Sequence, residues 1–320
     1  MNWKSLIKKV FSVLGYNISK SHHAGHSDRP LPVNASTDSV MTIGGGSILV
    51  PGNHPLRNCI VSFPDYMSQL ARLTKTFHSV SADLIAIDVG SNIGDSLCLI
   101  KSGADVPVVC IEGDPSALKY LKINSRQFAN IVIVDSFLSD KIETKWIDVA
   151  NTGWNCSLLP VSGATGTPIH FSTLSDVVRS LPVRCESVFL KIDVEGYEPM
   201  VVKGAVEFLQ KTHPVIMLEY NYDALLSAKQ DGVGMLTMLH SLGYGSVIIY
   251  DNRGVYLTSG TISEKLFISE IIVYAQSPYR NIPYYDLLIF PHDKQYLFES
   301  FRSEELAFFL RYMRQLNPLD

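Results

Sequence analysis

The stretch Leu84-Ile-Ala-Ile-Asp88-Val-Gly90-Ser-Asn92-Ile-Gly94 decides the fold. Its first six residues are apolar apart from Asp88, too few for a helix and without the alternation of a half-exposed strand. Such a run predicts a strand buried on both faces, as in a parallel sheet. Gly90 and Gly94 then allow a sharp turn into a helix expected around Ser96–Lys101. The same alternation continues on both sides. Upstream, Tyr66–Phe77 reads as a helix. Downstream come a strand at Val106–Ile111, a helix at Pro115–Ser125 and a strand at Ile131–Val134. After a stretch at 141–175 that reads as irregular, a strand is expected at Val188–Ile192. Pro199–Gln210 follows as a helix with its proline in the first turn. Val215–Leu218 is a strand opened by Pro214. A helix near Met235–Leu242 and strands near Val247–Tyr250 and Ser269–Tyr274 complete the pattern. Strand alternating with helix predicts a doubly wound, mainly parallel α/β sheet of Rossmann-like type. The expected domain is 66–275, with an N-terminal extension at 1–65 and a C-terminal one at 276–320.

Composition excludes several classes. Of 320 residues, 46% are hydrophobic and 18% charged, enough for a buried core and wrong for a disordered chain. Twenty-seven basic against 31 acidic side chains give a net charge of −4, so phosphate neutralisation is not the source of binding energy and nucleic acid is not the expected partner. The five cysteines form no CxxC pair, which points to reduced thiols in a cytoplasmic protein rather than disulfides or zinc. No apolar stretch is long enough to span a membrane. Residues 3–18 form an amphipathic segment with two uses, packing on its own domain or peripheral contact with a membrane surface; the first is preferred. His22, His23 and His26 lie in a polar linker and are expected to be solvated. Gly44-Gly45-Gly46 lacks the Gly-Lys-Ser/Thr that would make it a phosphate loop. At the tail, Ser303 is expected to cap a helix with Leu306, Phe309, Leu310 and Met313 as its stripe, packed intramolecularly, with a dimer contact as the alternative.

A doubly wound sheet binds its ligand beyond the carboxyl ends of its strands. Asp88, Glu112, Asp135, Asp193 and Glu219 all fall at or just past an apolar run, which points to a shared acidic pocket. A dinucleotide turn would have glycine where this chain has Asn92, so pyrophosphate is not the expected ligand. Glu112, 24 residues after Asp88, stands where a carboxylate accepts from ribose hydroxyls. An adenosine without phosphate that carries a cationic group describes S-adenosylmethionine, and an acidic pocket attracts its sulfonium.

These residues also carry a resemblance. Ile87-Asp-Val-Gly-Ser-Asn-Ile-Gly94, Ile111-Glu-Gly-Asp-Pro115, Leu138-Ser-Asp140, Leu190-Lys-Ile-Asp-Val-Glu-Gly-Tyr-Glu198, Lys203-Gly-Ala205 and Leu218-Glu219 follow in the order typical of FkbM-type methyltransferases. The resemblance covers roughly residues 80–222, with a fainter echo from His54-Pro55. It implies a class I methyltransferase domain that moves methyl from S-adenosylmethionine to an oxygen, commonly on a saccharide. On matching positions, Gly90, Asn92 and Gly94 would border the methionine part, Glu112 the ribose, and Asp135 and Ser136 the adenine; Asp88, the acid before the turn, is also counted among the cofactor-binding residues, since an acid there suits a ligand with an amino group. Gly113 departs from the proline common after the ribose-binding acid, and Asp135 from a more frequent asparagine.

Asp193 is the expected proton acceptor for a hydroxyl, with Glu195 second. The alternatives are that Asp193 fixes the cofactor amino group and that Glu195 caps the next helix turn. Asp193, Glu195 and Glu219 have the donor chemistry for magnesium, but the sequence assigns no metal. Trp154-Asn155 suits sugar recognition, as does cover for the core edge; His170 and Asp176 flank the chain leading to the next parallel strand. The function expected is a cytoplasmic S-adenosylmethionine-dependent O-methyltransferase of a saccharide or glycan precursor, as monomer or homodimer. A nicotinamide-dependent oxidoreductase and a silent cofactor-binding module are the alternatives.

Overall fold

The computed structural model describes residues 37–151, 156–160, 166–181 and 186–316. The segment 3–18, the three linker histidines and Trp154-Asn155 lie outside the described residues.

The chain begins with a hairpin, β1 (Ser39–Ile43) and β2 (Gly46–Val50), turned by Gly44 and Gly45. Both turn residues have positive φ, +56° and +78°, the mirror-image turn whose twist matches a hairpin. Helices α1 (Leu56–Ser62) and α2 (Gln69–Val80) lead into β3 (Leu84–Val89), all six of whose residues are buried. Then follow α3 (Asp95–Gly103), β4 (Val108–Glu112), α4 (Pro115–Asn124) and β5 (Ile131–Asp135). A second sheet holds β6 (Phe137–Leu138), β7 (Glu143–Asn151), β8 (Cys156–Pro160) and β9 (Thr167–Ser172), in the order β6-β9-β7-β8. Next are α5 (Leu174–Ser180), β10 (Ser187–Ile192), α6 (Glu198–Gly204), α7 (Val206–Thr212), β11 (Val215–Tyr220), α8 (Tyr222–Ser227) and α9 (Gly232–Ser241). The chain finishes with β12 (Tyr244–Asp251), β13 (Tyr256–Thr261), α10 (Lys265–Gln276), β14 (Tyr285–Pro291) and α11 (Gln295–Leu316).

The central sheet has the order β13-β12-β14-β11-β10-β3-β4-β5. From β5 to β11 every pairing is parallel; β14 is antiparallel to both of its neighbours. This is a Rossmann-like α/β fold. After β3 the chain winds outward to β4 and β5, and later returns to place β10 on the other side of β3. A crevice opens where the winding reverses. Alternate residues of each strand feed opposite faces. Ile85, Ile87, Leu190 and Leu218 pack under α5–α9, with Val201, Leu209 and Leu239. Ala86, Phe189, Met217 and Leu288 face α2, α3 and α11, with Leu73, Leu97 and Phe301, and the hairpin's Ile48 and Val50 join them.

Four expectations are corrected. Residues 269–274 are not a strand but part of α10, because Ile268 and Ala275 are its buried positions, spaced seven apart as two helical turns require. The strand sits later, at Tyr285–Pro291, wholly buried between β11 and β12. The sheet therefore runs past residue 275, and that boundary cuts through it. The stretch 141–175 is not irregular but supplies the second sheet, whose described side chains are largely half-exposed and so lack an apolar run. Finally, α11 starts at Gln295, and Ser303 is interior, donating back to the Glu299 carbonyl at 2.8 Å. Its inward residues are Phe298, Phe301 and Glu305, not Leu310, which is exposed; Glu305 accepts from Arg72 at 2.5 and 2.9 Å.

Candidate active site

The crevice is a cleft of about 1230 Å³, including its open mouth, over the carboxyl ends of β3, β4, β10 and β11. One wall is the glycine turn after β3. Gly90, Asn92 and Gly94 all have positive φ (+80°, +45° and +92°), a conformation glycine and asparagine tolerate best. Gly90 is demanded by protein, not by ligand: a Cβ there would stand 1.8 Å from the Asp193 carbonyl oxygen. Gly90 and Asn92 line the cleft, while Gly94 lies behind it at the start of α3. Asp88 is also behind the turn. It is fully buried, accepts from the Ser96 hydroxyl at 2.6 Å and lies 3.7 Å from Lys191 Nζ.

Glu112 ends β4 and faces the same cleft. Its Oε1 accepts from the backbone N–H of Gly113 (2.8 Å) and Asp114 (2.7 Å), and its Oε2 from that of Asn92 (2.8 Å). A carboxylate has about four acceptor positions, so three are filled and the open one is on Oε2. Burial raises the carboxyl pKa and these backbone donors oppose the rise. Gly113 has its own reason: a Cβ there would lie 2.4 Å from the Phe137 ring, which therefore occupies the space a proline would need. Ser136 and Phe137 continue this wall. Asp135, although aligned with Glu112, is exposed and outside the cleft.

The opposite wall is acidic. Lys191, on β10, is 5% exposed and donates to Asp193 Oδ2 at 2.8 Å. Burial lowers the pKa of this lysine, but Asp193 and Asp88 outweigh it, so the ammonium is held well above its usual range. The turn Asp193-Val-Glu195-Gly196 follows, with Glu195 at φ +55°. It is secured by the buried Glu198, whose Oε1 accepts from the N–H of Val194 (2.9 Å) and Gly196 (3.2 Å). Glu198 thus caps this turn, and Glu195 lines the cleft. Glu219, on β11, is 5% exposed, and its carboxyl pKa is raised well above the usual carboxylate range first by burial and then by Asp193, Glu195 and Glu198. Asp286, 4% exposed, stands opposite Glu219 in the antiparallel register, and burial with Asp193 nearby pushes it up to about 8. Asp95, the first residue of α3, completes the wall, pushed up to about 6 by burial.

Tyr66, Tyr197, Tyr284 and His54 also line the cleft. Burial lowers His54 to about 4, so the ring is neutral; it accepts from the Leu56 N–H at 3.3 Å and bonds the Asn92 side chain. Of the residues expected from sequence, Gly90, Asn92, Glu112, Ser136, Asp193 and Glu195 meet in one cleft, and Asp88, Gly94 and Asp135 do not line it. Sequence reasoning gave Lys191 no role although it sits inside the Lys-Ile-Asp-Val-Glu-Gly block, where it is the one basic residue in an apolar strand. Tyr284 and Asp286 carried no signal, because their strand was misplaced. Of the other sequence candidates, His170 is exposed beside Thr144, and Asp176 closes an N-terminal cap with Thr173.

A parallel sheet with a phosphate-free glycine turn and an acid at the tip of the next strand defines a class I methyltransferase domain. Residues 88–245 match the family model of the methyltransferase FkbM domain. This stretch, just under half of the chain, carries a methyltransferase FkbM domain of the S-adenosylmethionine-dependent type. No curated protein matches the sequence. Among solved structures, the chain is similar to the methyltransferase FkbM from Methylobacillus flagellatus KT, with 19% identity over 48% of this chain and 36% of that one, at a TM-score of 0.32. It thus spans about a third of that protein's length. It is also similar to the precorrin-6y C5,15-methyltransferase from Geobacter metallireducens GS-15, with 14% identity over 69% and 87% of the two chains, TM-score 0.36. A third likeness is to M. jannaschii TYW2 in complex with AdoMet, with 13% identity over 80% and 86%, TM-score 0.34. At such identity and overlap no residue role passes from these proteins to this one.

Proposed function

We propose that the protein transfers methyl from S-adenosylmethionine to a hydroxyl group of a saccharide or glycan precursor in the cytoplasm. One observation carries the reading: a single cleft joins a carboxylate fixed for a ribose, Glu112, to a wall of carboxylates at Asp193, Glu195 and Glu219. The residues present fit the cofactor. The open position on Glu112 Oε2 suits a ribose hydroxyl, Ser136 and Phe137 suit the base, and the acidic wall attracts a sulfonium. Asp88 and Gly94 shape this end from behind, and Asp135 belongs to the strand end beyond it.

The cofactor supplies an electrophilic methyl with a good leaving group, so orientation of the acceptor provides much of the rate. A hydroxyl must also lose its proton. Asp193, oriented by Lys191, is placed to take it, and Glu195 is the second candidate. Tyr66, Tyr197 and Tyr284 offer ring faces and hydroxyls of the kind that hold a polyol. The free thiols of Cys59, Cys98 and Cys110 agree with a reducing compartment, and among the described residues no helix is long and apolar enough to cross a membrane. Calorimetry with S-adenosylmethionine and with NAD tests the first step; tighter binding of NAD would overturn it. Mass-resolved comparison of host glycans with and without the gene tests the acceptor, with one missing methyl group expected.

A further inference from the structure

Three carboxyl groups of the acidic wall converge on one point of the cleft. Asp193, Glu195 and Glu219 each bring one oxygen to within 4.8 Å of the others. Two come from the turn after β10 and the third from the neighbouring strand β11, so only the folded sheet assembles them. A second, separate observation concerns Glu219. Its Oε2 is buried and has no hydrogen-bond partner, although the residue is 95% buried and lines the cleft. Its principal charged neighbours are Asp193, Glu195, Glu198 and Asp286, all acidic. Asp286, its cross-strand partner, likewise has a buried, unpartnered oxygen. A buried acceptor without a donor costs about 1–3 kcal/mol. Lys191, the lysine that lines this wall, is already engaged by Asp193 and Asp88.

We propose that Asp193, Glu195 and Glu219 form a binding site for one divalent hard cation, magnesium or manganese, at the acceptor end of the cleft. The dimensions agree. On an octahedral ion with metal–oxygen distances near 2.1 Å, adjacent oxygens are about 3.0 Å apart and opposite ones about 4.2 Å. Small side-chain rotations close the observed triangle onto such an ion. Asp193 can serve Lys191 and the ion at once, because a carboxylate has two oxygens and the lysine uses Oδ2. Three protein ligands leave positions for water and for an acceptor oxygen, whose proton the ion would make easier to remove. This consequence for catalysis rests on the methyltransferase reading; the site itself does not.

The test uses the full-length protein stripped with EDTA, without S-adenosylmethionine, and titrates manganese alone by electron paramagnetic resonance and calorimetry. One ion per chain is expected. Glu219→Gln and Glu195→Gln should each weaken binding about tenfold or more, the scale on which metal sites respond to lost partners. Both glutamines keep the side-chain shape, and melting followed by circular dichroism shows that the variants are folded. A manganese-dependent rise in Tm in the wild type, absent in Glu219→Gln, would support the site independently. No binding up to about 1 mM, the weak end of physiological sites, would overturn the proposal. Equal affinity in wild type and both variants would overturn it as well. S-adenosylmethionine titrated separately keeps the two readings apart: cofactor binding without manganese binding sinks the metal site alone, and manganese binding without cofactor binding supports the site while sinking the cofactor reading.

Discussion

Two glutamates face the same cleft, Glu112 half-buried and Glu219 buried, and their surroundings are opposites. Glu112 receives three backbone N–H bonds, from Asn92, Gly113 and Asp114, so the chain has met most of its acceptor capacity before a ligand arrives. Glu219 has a buried oxygen with no partner and acids on every principal side. The first arrangement is rigid and presents one remaining acceptor at a fixed point. The second leaves an acceptor that a proton, a cation or a hydrogen-bond donor would satisfy. Recognition of a neutral sugar hydroxyl calls for the former, and attraction of positive charge for the latter. The two ends of the cleft therefore differ in what they can bind, and the proposed division of roles between them can be tested.

The largest effect should come from the acidic end. Asp193→Asn keeps size and one acceptor oxygen but cannot take a proton, so turnover should fall about 10²–10⁴-fold while cofactor affinity stays near normal. Methyl transfer and cofactor titration on the same variant decide this. If affinity collapses and saturated turnover survives, Asp193 is a cofactor ligand and the boundary between the two ends has been drawn in the wrong place.

Glu112→Ala should do the reverse, weakening S-adenosylmethionine by roughly 1.5–3 kcal/mol, about tenfold to 150-fold, as expected for a lost charge-assisted bond. Because three backbone donors lose their acceptor too, Tm should also drop. Calorimetry and thermal melting measure both. Unchanged affinity would break the assignment of the ribose end.

Next in size is Gly113→Ala. Its Cβ would press the Phe137 ring at 2.4 Å, and overpacking of this kind costs about 1–3 kcal/mol unless the ring swings away. Denaturant unfolding checks the cost. A neutral outcome, with weakened cofactor binding, would show that the ring moves easily and that it serves the base more than the core.

The last test is a pH slope, comparable in size to the previous one but visible only on acidification. His54 has a folded pKa near 4, below the ordinary 6.5, so the unfolded chain binds more protons between these values. Its contribution to stability is complete above about 6.5 and is lost as pH falls towards 4. His54→Asn should be less stable than the wild type at pH 7.5 yet lose less stability on acidification. Melting at pH 7.5, 5.5 and 4.5 tests it, and parallel curves for the two proteins would refute it.

Much of this was legible in the sequence, for a physical reason. A strand buried on both faces must be apolar throughout, so β3, β4, β10 and β11 announced themselves, and the acids at their tips marked the cleft. Strand β14 is equally apolar, but α10 before it is apolar too, and a short apolar run does not declare its period. The second sheet is half-exposed and had no run to show. Register was out of reach as well: Asp135 ends a strand as Glu112 does, yet it is exposed while Glu112 is held by three donors.

By itself, then, the sequence determined the winding of the parallel strands, the glycine turn and the set of acids at the strand ends, because these depend on local periodicity and on which side chains a buried strand admits. Only the tertiary structure decided the reason for Gly90, the pairing of Lys191 with Asp193, the cap by Glu198 and the meeting of Glu219 with Asp286. Those depend on which strands become neighbours, and the residues concerned lie tens of positions apart or belong to a turn shaped by its contacts. A carboxylate's partners are set by distance in space, which no spacing along the chain encodes.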